Sequence, residues 1–364
     1  MTDRYKVYTK VLKSIKAVVK DQHPGHTVTL AMMITGIVLS KKAQLSEMSS
    51  EIPSAAKDKS IEMRLRRWVK HNQIDGDLIY LPFAKQVLNA LSTQELLLVM
   101  DGSQVGRGCM VLMVGVVYKK RTLPIAWLVY KGKKGHTTAE RHIEVLEKVK
   151  ALLPKGARVL LLGDAEYDTT KMLVWVQEKT KWNYVLRTSP QIYMSSGLEE
   201  HKIGDLPLQK DQVLRYLNIK FTKKADVKTN LVLWWMSKYE KPVYLISSLE
   251  SKYLVCRHYQ RRYRIETFFS DQKSRGFNIH KSHLADPERI SRLLVAACLA
   301  YIWMIVQGLK VIAEEKTNYI DRTERNDKSI FRLGMDWLRH CLKRNINFEP
   351  MFLFKLENEI INVR

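Results

Sequence analysis

Residues 95–103 read ELLLVMDGS, and residues 157–167 read ARVLLLGDAEY. In each, a short run of Leu, Val and Met ends at an aspartate, Asp101 in the first and Asp164 in the second. Runs that are apolar at every position predict strands buried on both faces, as in a sheet covered by helices. A carboxylate at the carboxyl end of such a strand stands where open α/β sheets place their functional sites. If the two strands are neighbours, Asp101 and Asp164 come together. An aspartate after a strand also simply begins a turn, so neither residue taken singly points to a site.

Residues 259–277, YQRRYRIETFFSDQKSRGF, add a third carboxylate in a basic setting. Tyr259, Arg262, Glu266 and Lys273 stand in the spacing Y-x2-R-x3-E-x6-K. At about 100° per residue, one continuous helix would carry all four within roughly 60° of one face. Ile265, Phe268 and Phe269 would then lie on a different, core-facing side. A carboxylate in a strip of cations and a phenol suits a phosphodiester. The acid can hold a divalent metal, Arg and Lys can bind phosphate oxygens, and Tyr can lie along the strand. A basic helix with one Glu also reads as a solvated face. Two strand-end aspartates plus Glu266 make a constellation that turn and surface chemistry do not predict.

Together these residues resemble the bacterial insertion-sequence transposases of the DDE type, in the cut-and-paste group whose signature is this Y, R, E, K spacing. The resemblance runs from about Ser60 onward and includes GFNIHKSHLADPERISRLLVAACLAYIW (276–303) and SIFRLGMDWL (329–338). One departure is Ala165, where relatives often carry a basic residue. The resemblance implies an α/β fold: a ribonuclease-H-like catalytic core with a β-rich insertion domain, plus N-terminal and C-terminal helical regions. Asp101, Asp164 and Glu266 are then catalytic and hold two Mg2+ ions roughly 4 Å apart, with Mn2+ able to substitute. The partners are transposon-end and target DNA, and a homodimer in the synaptic complex is implied. In that group an aromatic in a late strand of the insertion stacks on a base drawn from the duplex. Here the strand PVYLISS nominates Tyr244, with Trp234 and Trp235 as rivals, against the alternative that each packs in the β core. A ribonuclease-H-like nuclease and a catalytically inactive, domesticated DNA-binding protein stay open as alternatives.

The organisation follows in four pieces. Residues 1–92 predict a helical DNA-binding region, in which AQLSEMSS, a break at Glu51–Pro53 and SIEMRLRRWVKHN fit a helix-turn-helix reader. Arg64, Arg66, Arg67 and Lys70 would face DNA, and a plain bundle with a basic face fits equally. Residues 93–187 predict the first part of the core. A hairpin turns at Lys119–Arg121, and a helix capped by Thr137 and Glu140 crosses over to set the fourth strand beside the first. Residues 188–250 predict the insertion, and residues 251–364 the glutamate helix and the C-terminal helices. His136 and His142 suit structural roles.

Composition agrees with a nucleic-acid partner. Of 364 residues, 61 are Lys or Arg against 37 Asp or Glu, giving a formal charge of +24. Such a charge makes DNA affinity fall steeply with salt. Cys109, Cys256, Cys298 and Cys341 form no C-x2-C pair, which argues against a zinc site or disulfide framework and fits a reducing cytoplasm. The N-terminus lacks the apolar segment of a signal peptide. The run Leu293–Val306 falls short of the ~20 residues that span a bilayer, so it predicts a buried helix and no membrane partner.

Overall fold

The computed structural model describes residues 2–352 apart from 21, 134, 136, 198, 224–226 and 323–326. His136 therefore lies outside the described residues.

The N-terminal region is helical. Helix α1 (Asp3–Val18) buries Val7, Val11 and Ile15 at a spacing of one helical turn. Helix α2 (Pro24–Ser40) is buried along nearly its whole length, as its almost unbroken apolar sequence requires. Short α3 (Leu45–Ser49) leads to α4 (Asp58–Lys70), then α5 (Gly76–Leu91), whose first amides are capped by Asp75.

Strands β1 (Leu96–Gly106), β2 (Cys109–Tyr118) and β3 (Arg121–Lys131) form an antiparallel meander. Helix α6 (Ala139–Leu152) crosses over to β4 (Val159–Gly163), and α7 (Thr170–Lys179) leads to β5 (Asn183–Arg187). The expected capping box on α6 does not form. Thr138 is the N-cap residue and its side chain makes no capping bond. The Thr137 hydroxyl is engaged by the Tyr130 phenol, and Glu140 takes Lys171 at 2.5 Å.

Strands β6 (Tyr193–Ser196), β7 (Glu199–Lys202), β8 (Gln212–Phe221), β9 (Val227–Trp235) and β10 (Val243–Ser247) follow. They continue the same sheet, because β10 returns to pair antiparallel with β5. The result is one ten-stranded sheet in the order β3-β2-β1-β4-β5-β10-β9-β8-β6-β7.

The chain then runs through α8 (Lys252–Tyr259), α9 (Arg264–Gln272), α10 (Pro287–Ala313) and α11 (Ile330–Arg344). Helix α10 is 27 residues long and apolar enough by length and composition to cross a membrane, but 89% of its most apolar window is buried inside the fold. It is the core helix, in contact with α2, α4, α5, α9, α11 and β3. Its Arg292 donates to the carbonyls of Val69 and Ile74, tying α10 to the segment around α4. Helices α10 and α11 meet backbone to backbone. A Cβ on Gly308 would fall 2.0 Å from the Ile330 carbonyl oxygen, and one on Gly334 would fall 1.9 Å from that of Met304.

One correction concerns residues 259–273, which are not a single helix. Between α8 and α9 the backbone tightens to three-residue bonding: Arg262 N–H bonds to the Tyr259 carbonyl (2.9 Å), Ile265 to Arg262 (3.2 Å) and Glu266 to Tyr263 (3.1 Å). Lys273 ends α9 with φ −100° and ψ −127°. The four motif residues therefore belong to a helix end, a turn, a helix and a cap, and tertiary contacts bring them together.

Candidate active site

Strands β1 and β4 are parallel neighbours in the register Leu98↔Leu161 and Val99↔Leu162. Asp101 and Asp164 each follow the last of these pairs by two residues, so both emerge on the same face at the same level. In each aspartate one carboxylate oxygen is tied down locally. Gly102 N–H donates to Asp101 Oδ1 at 2.8 Å, and Ala165 N–H donates to Asp164 Oδ1 at 2.9 Å. The Oδ2 atoms of both turn toward Arg262.

Helix α9 packs against β1, β2 and β3. A buried ion pair, Arg121 to Asp271 at 2.8 Å, fixes it there. Burial pushes the Asp271 carboxyl up to about 6, with Arg121 pulling it down. This placement carries Glu266 to the mouth of the site, its side chain 55% exposed, whereas the Asp101 side chain is 12% exposed. The carboxylates thus descend from a solvent-facing glutamate to an enclosed aspartate.

Arg262 sits among them. Its Nη1 lies 3.7 Å from Asp101 Oδ2 and 3.8 Å from Asp164 Oδ2, and its Nη2 lies 3.2 Å from Glu266 Oε1. The guanidinium also rests over the Tyr263 ring at 4.3 Å. Burial works against its charge, but Tyr259, Asp164 and Asp101 more than offset this and hold its pKa above the ordinary arginine range. Tyr259 is buried behind it, with a hydroxyl that has no hydrogen-bond partner among the described residues, and burial pushes its phenol upward. Lys273 Nζ donates to Ser103 Oγ at 2.7 Å, and Ser103 shares the strand face of Asp101.

Sequence reasoning missed several members of the site. Arg187, the last residue of β5, approaches Asp164 Oδ1 at 3.7 Å and supplies a cation that position 165 lacks. Asp168 is pushed up to about 6 by burial and accepts from the Thr188 hydroxyl at 2.6 Å. Tyr263 stacks on Arg262 and is 46% exposed. Position at the end of a parallel strand was an available signal for Arg187, while Asp168 and Tyr263 carried none.

The remaining expected residues lie elsewhere. Helix α4 exposes Arg64, Arg66, Arg67 and Lys70. Arg66 is neutralised by Glu62 at 2.5 Å, whereas Arg64 Nε donates to Thr29 and Arg67 Nε to the Met63 carbonyl. A groove lined by Met63, Arg66, Arg67, Lys70, Leu284 and Arg289 joins this face to the segment before α10. Beside it, His26, His71, Arg64 and Arg67 line an open cavity of about 400 Å³. Tyr244 is half-buried on β10, Trp234 is buried in the sheet's packing, and Trp235 donates to the Tyr239 carbonyl at 3.1 Å.

Among the described residues no group of three or more His, Cys, Asp or Glu side chains is gathered closely enough to chelate a metal as it stands. The Arg262 guanidinium takes that central position. The donor set nevertheless fits a hard divalent ion, being carboxylate oxygen throughout, with both Oδ2 atoms directed inward.

Paired carboxylates at the ends of adjacent parallel strands, with a third from a later helix, are the arrangement expected of a ribonuclease-H-like core. The family model described as "Transposase DDE domain" matches residues 74–303, and the chain belongs to that family. It is a DDE transposase, an enzyme of DNA transposition that depends on divalent metal and has DNA as its partner. Among solved structures it is similar to a piggyBac transposase synaptic complex with hairpin DNA, at 11% identity and a TM-score of 0.47, over 97% of this chain and 84% of that one. No curated relative matches the sequence.

Proposed function

We propose that Asp101, Asp164 and Glu266 are the catalytic and metal-holding residues of this transposase, with Mg2+ as the working ion, Mn2+ as a substitute and two ions per site. The observation that carries this is the convergence of three carboxylates, from β1, β4 and the α9 helix, on one guanidinium. When bound, the two ions supply positive charge for in-line displacement at phosphorus, favouring the attacking oxygen and the leaving one.

The chain's own residues do the rest. The Gly102 and Ala165 amides hold Oδ1 of each aspartate and turn Oδ2 into the site. Lys273, Arg187 and Arg262 bind the oxygens of the phosphates around the scissile bond. Tyr259, being buried, backs Arg262 and does not lie along the strand. Hydrolysis at a transposon end and joining of the freed 3'-hydroxyl to target DNA are both displacements at phosphorus, so one centre serves a cut-and-paste reaction.

Residues 1–92 form the DNA-binding region, in which Arg64, Arg67 and Lys70 on α4 track the end duplex with Arg289. Arg66 joins them where its pairing with Glu62 opens. Residues 188–250 are the insertion, with Tyr244 and Trp235 its candidates for contact with an unstacked base. A homodimer brings two ends together on chromosomal DNA in the bacterial cytoplasm. The test is cleavage of duplex carrying the inverted repeats that flank the gene. Asp101→Ala, Asp164→Ala and Glu266→Ala should each abolish Mg2+-dependent cleavage while retaining binding. Near wild-type cleavage by all three would remove the assignment.

A further inference from the structure

Arg262 is the most enclosed charge of the site, its side chain only 4% exposed, and it faces three carboxylates at once. Its contacts of 3.2–3.8 Å are longer than the roughly 2.7–2.9 Å of a charge-assisted hydrogen bond. Its Nε has no hydrogen-bond partner among the described residues. The guanidinium is therefore held by the summed field of the acids, without the bidentate geometry that would lock it to any one of them. It belongs to the turn between α8 and α9, not to a helix, and the partly exposed Tyr263 ring lies along its outer side.

A divalent ion and this guanidinium need the same three oxygen groups. Three carboxylates can accept Arg262, or they can accept a metal, but a cation of each kind cannot share the space between the Oδ2 atoms without strong like-charge repulsion. A DNA phosphate offers Arg262 what the metal offers the carboxylates, a fully charged partner, and in bidentate form.

We propose that Arg262 is the resident counter-cation of the carboxylate cluster in the DNA-free protein, and that a DNA phosphate withdraws it, so that metal loading is coupled to DNA binding. This rests on the assignment of the three carboxylates as metal holders. Arg262 acts as a positioning residue: before DNA arrives it keeps three acids gathered that would otherwise repel one another, and it competes with metal for them. Linkage then makes the coupling reciprocal, DNA raising metal affinity by the factor by which metal raises DNA affinity. If the guanidinium is withdrawn in about a tenth of DNA-free molecules, apparent metal affinity falls about tenfold below its intrinsic value.

The experiment is calorimetric titration of Mn2+ into the full chain, with and without duplex carrying the inverted repeat, for wild type, Arg262→Gln, Arg262→Lys and Asp101→Asn. Without DNA, Arg262→Gln should bind Mn2+ about tenfold more tightly than wild type, and Arg262→Lys, which keeps a cation, should stay close to wild type. DNA should raise the affinity of wild type and leave Arg262→Gln unchanged. An Arg262→Gln protein that melts cooperatively yet binds Mn2+ no more tightly than wild type overturns the proposal. Should that variant not fold, the wild type decides, because equal Mn2+ affinity with and without DNA overturns it as well. Asp101→Asn separates the two levels. Undiminished Mn2+ binding by that variant in the DNA complex would undo the assignment of the acids themselves, whereas lost binding there, with no effect of Arg262→Gln, would undo the coupling alone.

Discussion

His142 offers a sharp test of how the floor of the site is built. The imidazole is fully buried on α6, neither ring nitrogen has a hydrogen-bond partner among the described residues, and its edge meets the Tyr167 ring at 4.9 Å. Tyr167 follows Asp164 by three residues and its hydroxyl reaches toward Gly102, so the pair lies under both aspartates. Burial lowers the His142 pKa to about 4, with Glu140 pulling weakly the other way. Because the folded pKa lies below the unfolded value of 6.5, the contribution to stability is present above pH 6.5 and is lost as pH falls through about 4. At about 1.4 kcal/mol per pH unit, the full loss is about 3 kcal/mol, of which about 2 kcal/mol is gone by pH 5. His142→Phe keeps a ring against Tyr167 and cannot titrate. Urea unfolding followed by tryptophan fluorescence, at pH 7 and pH 5 in chelator, should show wild type losing about 2 kcal/mol more than the variant. Asp168, pushed up to about 6, acts in the opposite sense, its contribution being lost as pH rises through that value, and it cancels in the comparison. Equal pH dependence of wild type and variant would refute the reasoning.

Lys273→Ala should weaken binding to end DNA and reduce the magnitude of its salt slope by about one, measured by fluorescence anisotropy across a salt series. An unchanged slope would mean that the amine does not reach a DNA phosphate. Asp271→Asn leaves Arg121 buried without its counter-charge and should cost about 3–5 kcal/mol in urea unfolding, while the double change Arg121→Met/Asp271→Leu should recover most of that. Strictly additive losses would show that the pair does not act as a unit. Gly334→Ala forces a methyl onto the Met304 carbonyl and should destabilise by about 1–3 kcal/mol or more, seen as a lowered thermal midpoint; a neutral result would place α10 and α11 farther apart than described.

The sheet was legible because strands covered on both faces must be apolar at every position, and LLLVM and VLLLG leave no room for an amphipathic helix. The crossover through α6 then required β1 and β4 to be neighbours, so the meeting of Asp101 and Asp164 could be read from order alone. The break between α8 and α9 could not, since three-residue and four-residue bonding draw on the same composition. The acidic setting of Arg262 was hidden in the same way: its basic neighbours in sequence are visible, its acidic neighbours in space are not. The strands β6 and β7 escaped notice because YMSS and EEHK are short and largely exposed, and carry no apolar alternation. Separation in the chain also hid Arg187, which reaches Asp164 only because β5 lies beside β4.

The most direct test of the metal-holding triad exchanges its oxygen ligands for sulfur. Asp101→Cys, Asp164→Cys and Glu266→Cys would be assayed for single-turnover cleavage of end DNA in Mg2+ and in Mn2+, which accepts thiolate far better. Direct ligation predicts variants inactive in Mg2+ that regain cleavage in Mn2+, against a wild type active in both. Cysteine variants that cleave normally in Mg2+ would contradict a catalytic centre at these three residues.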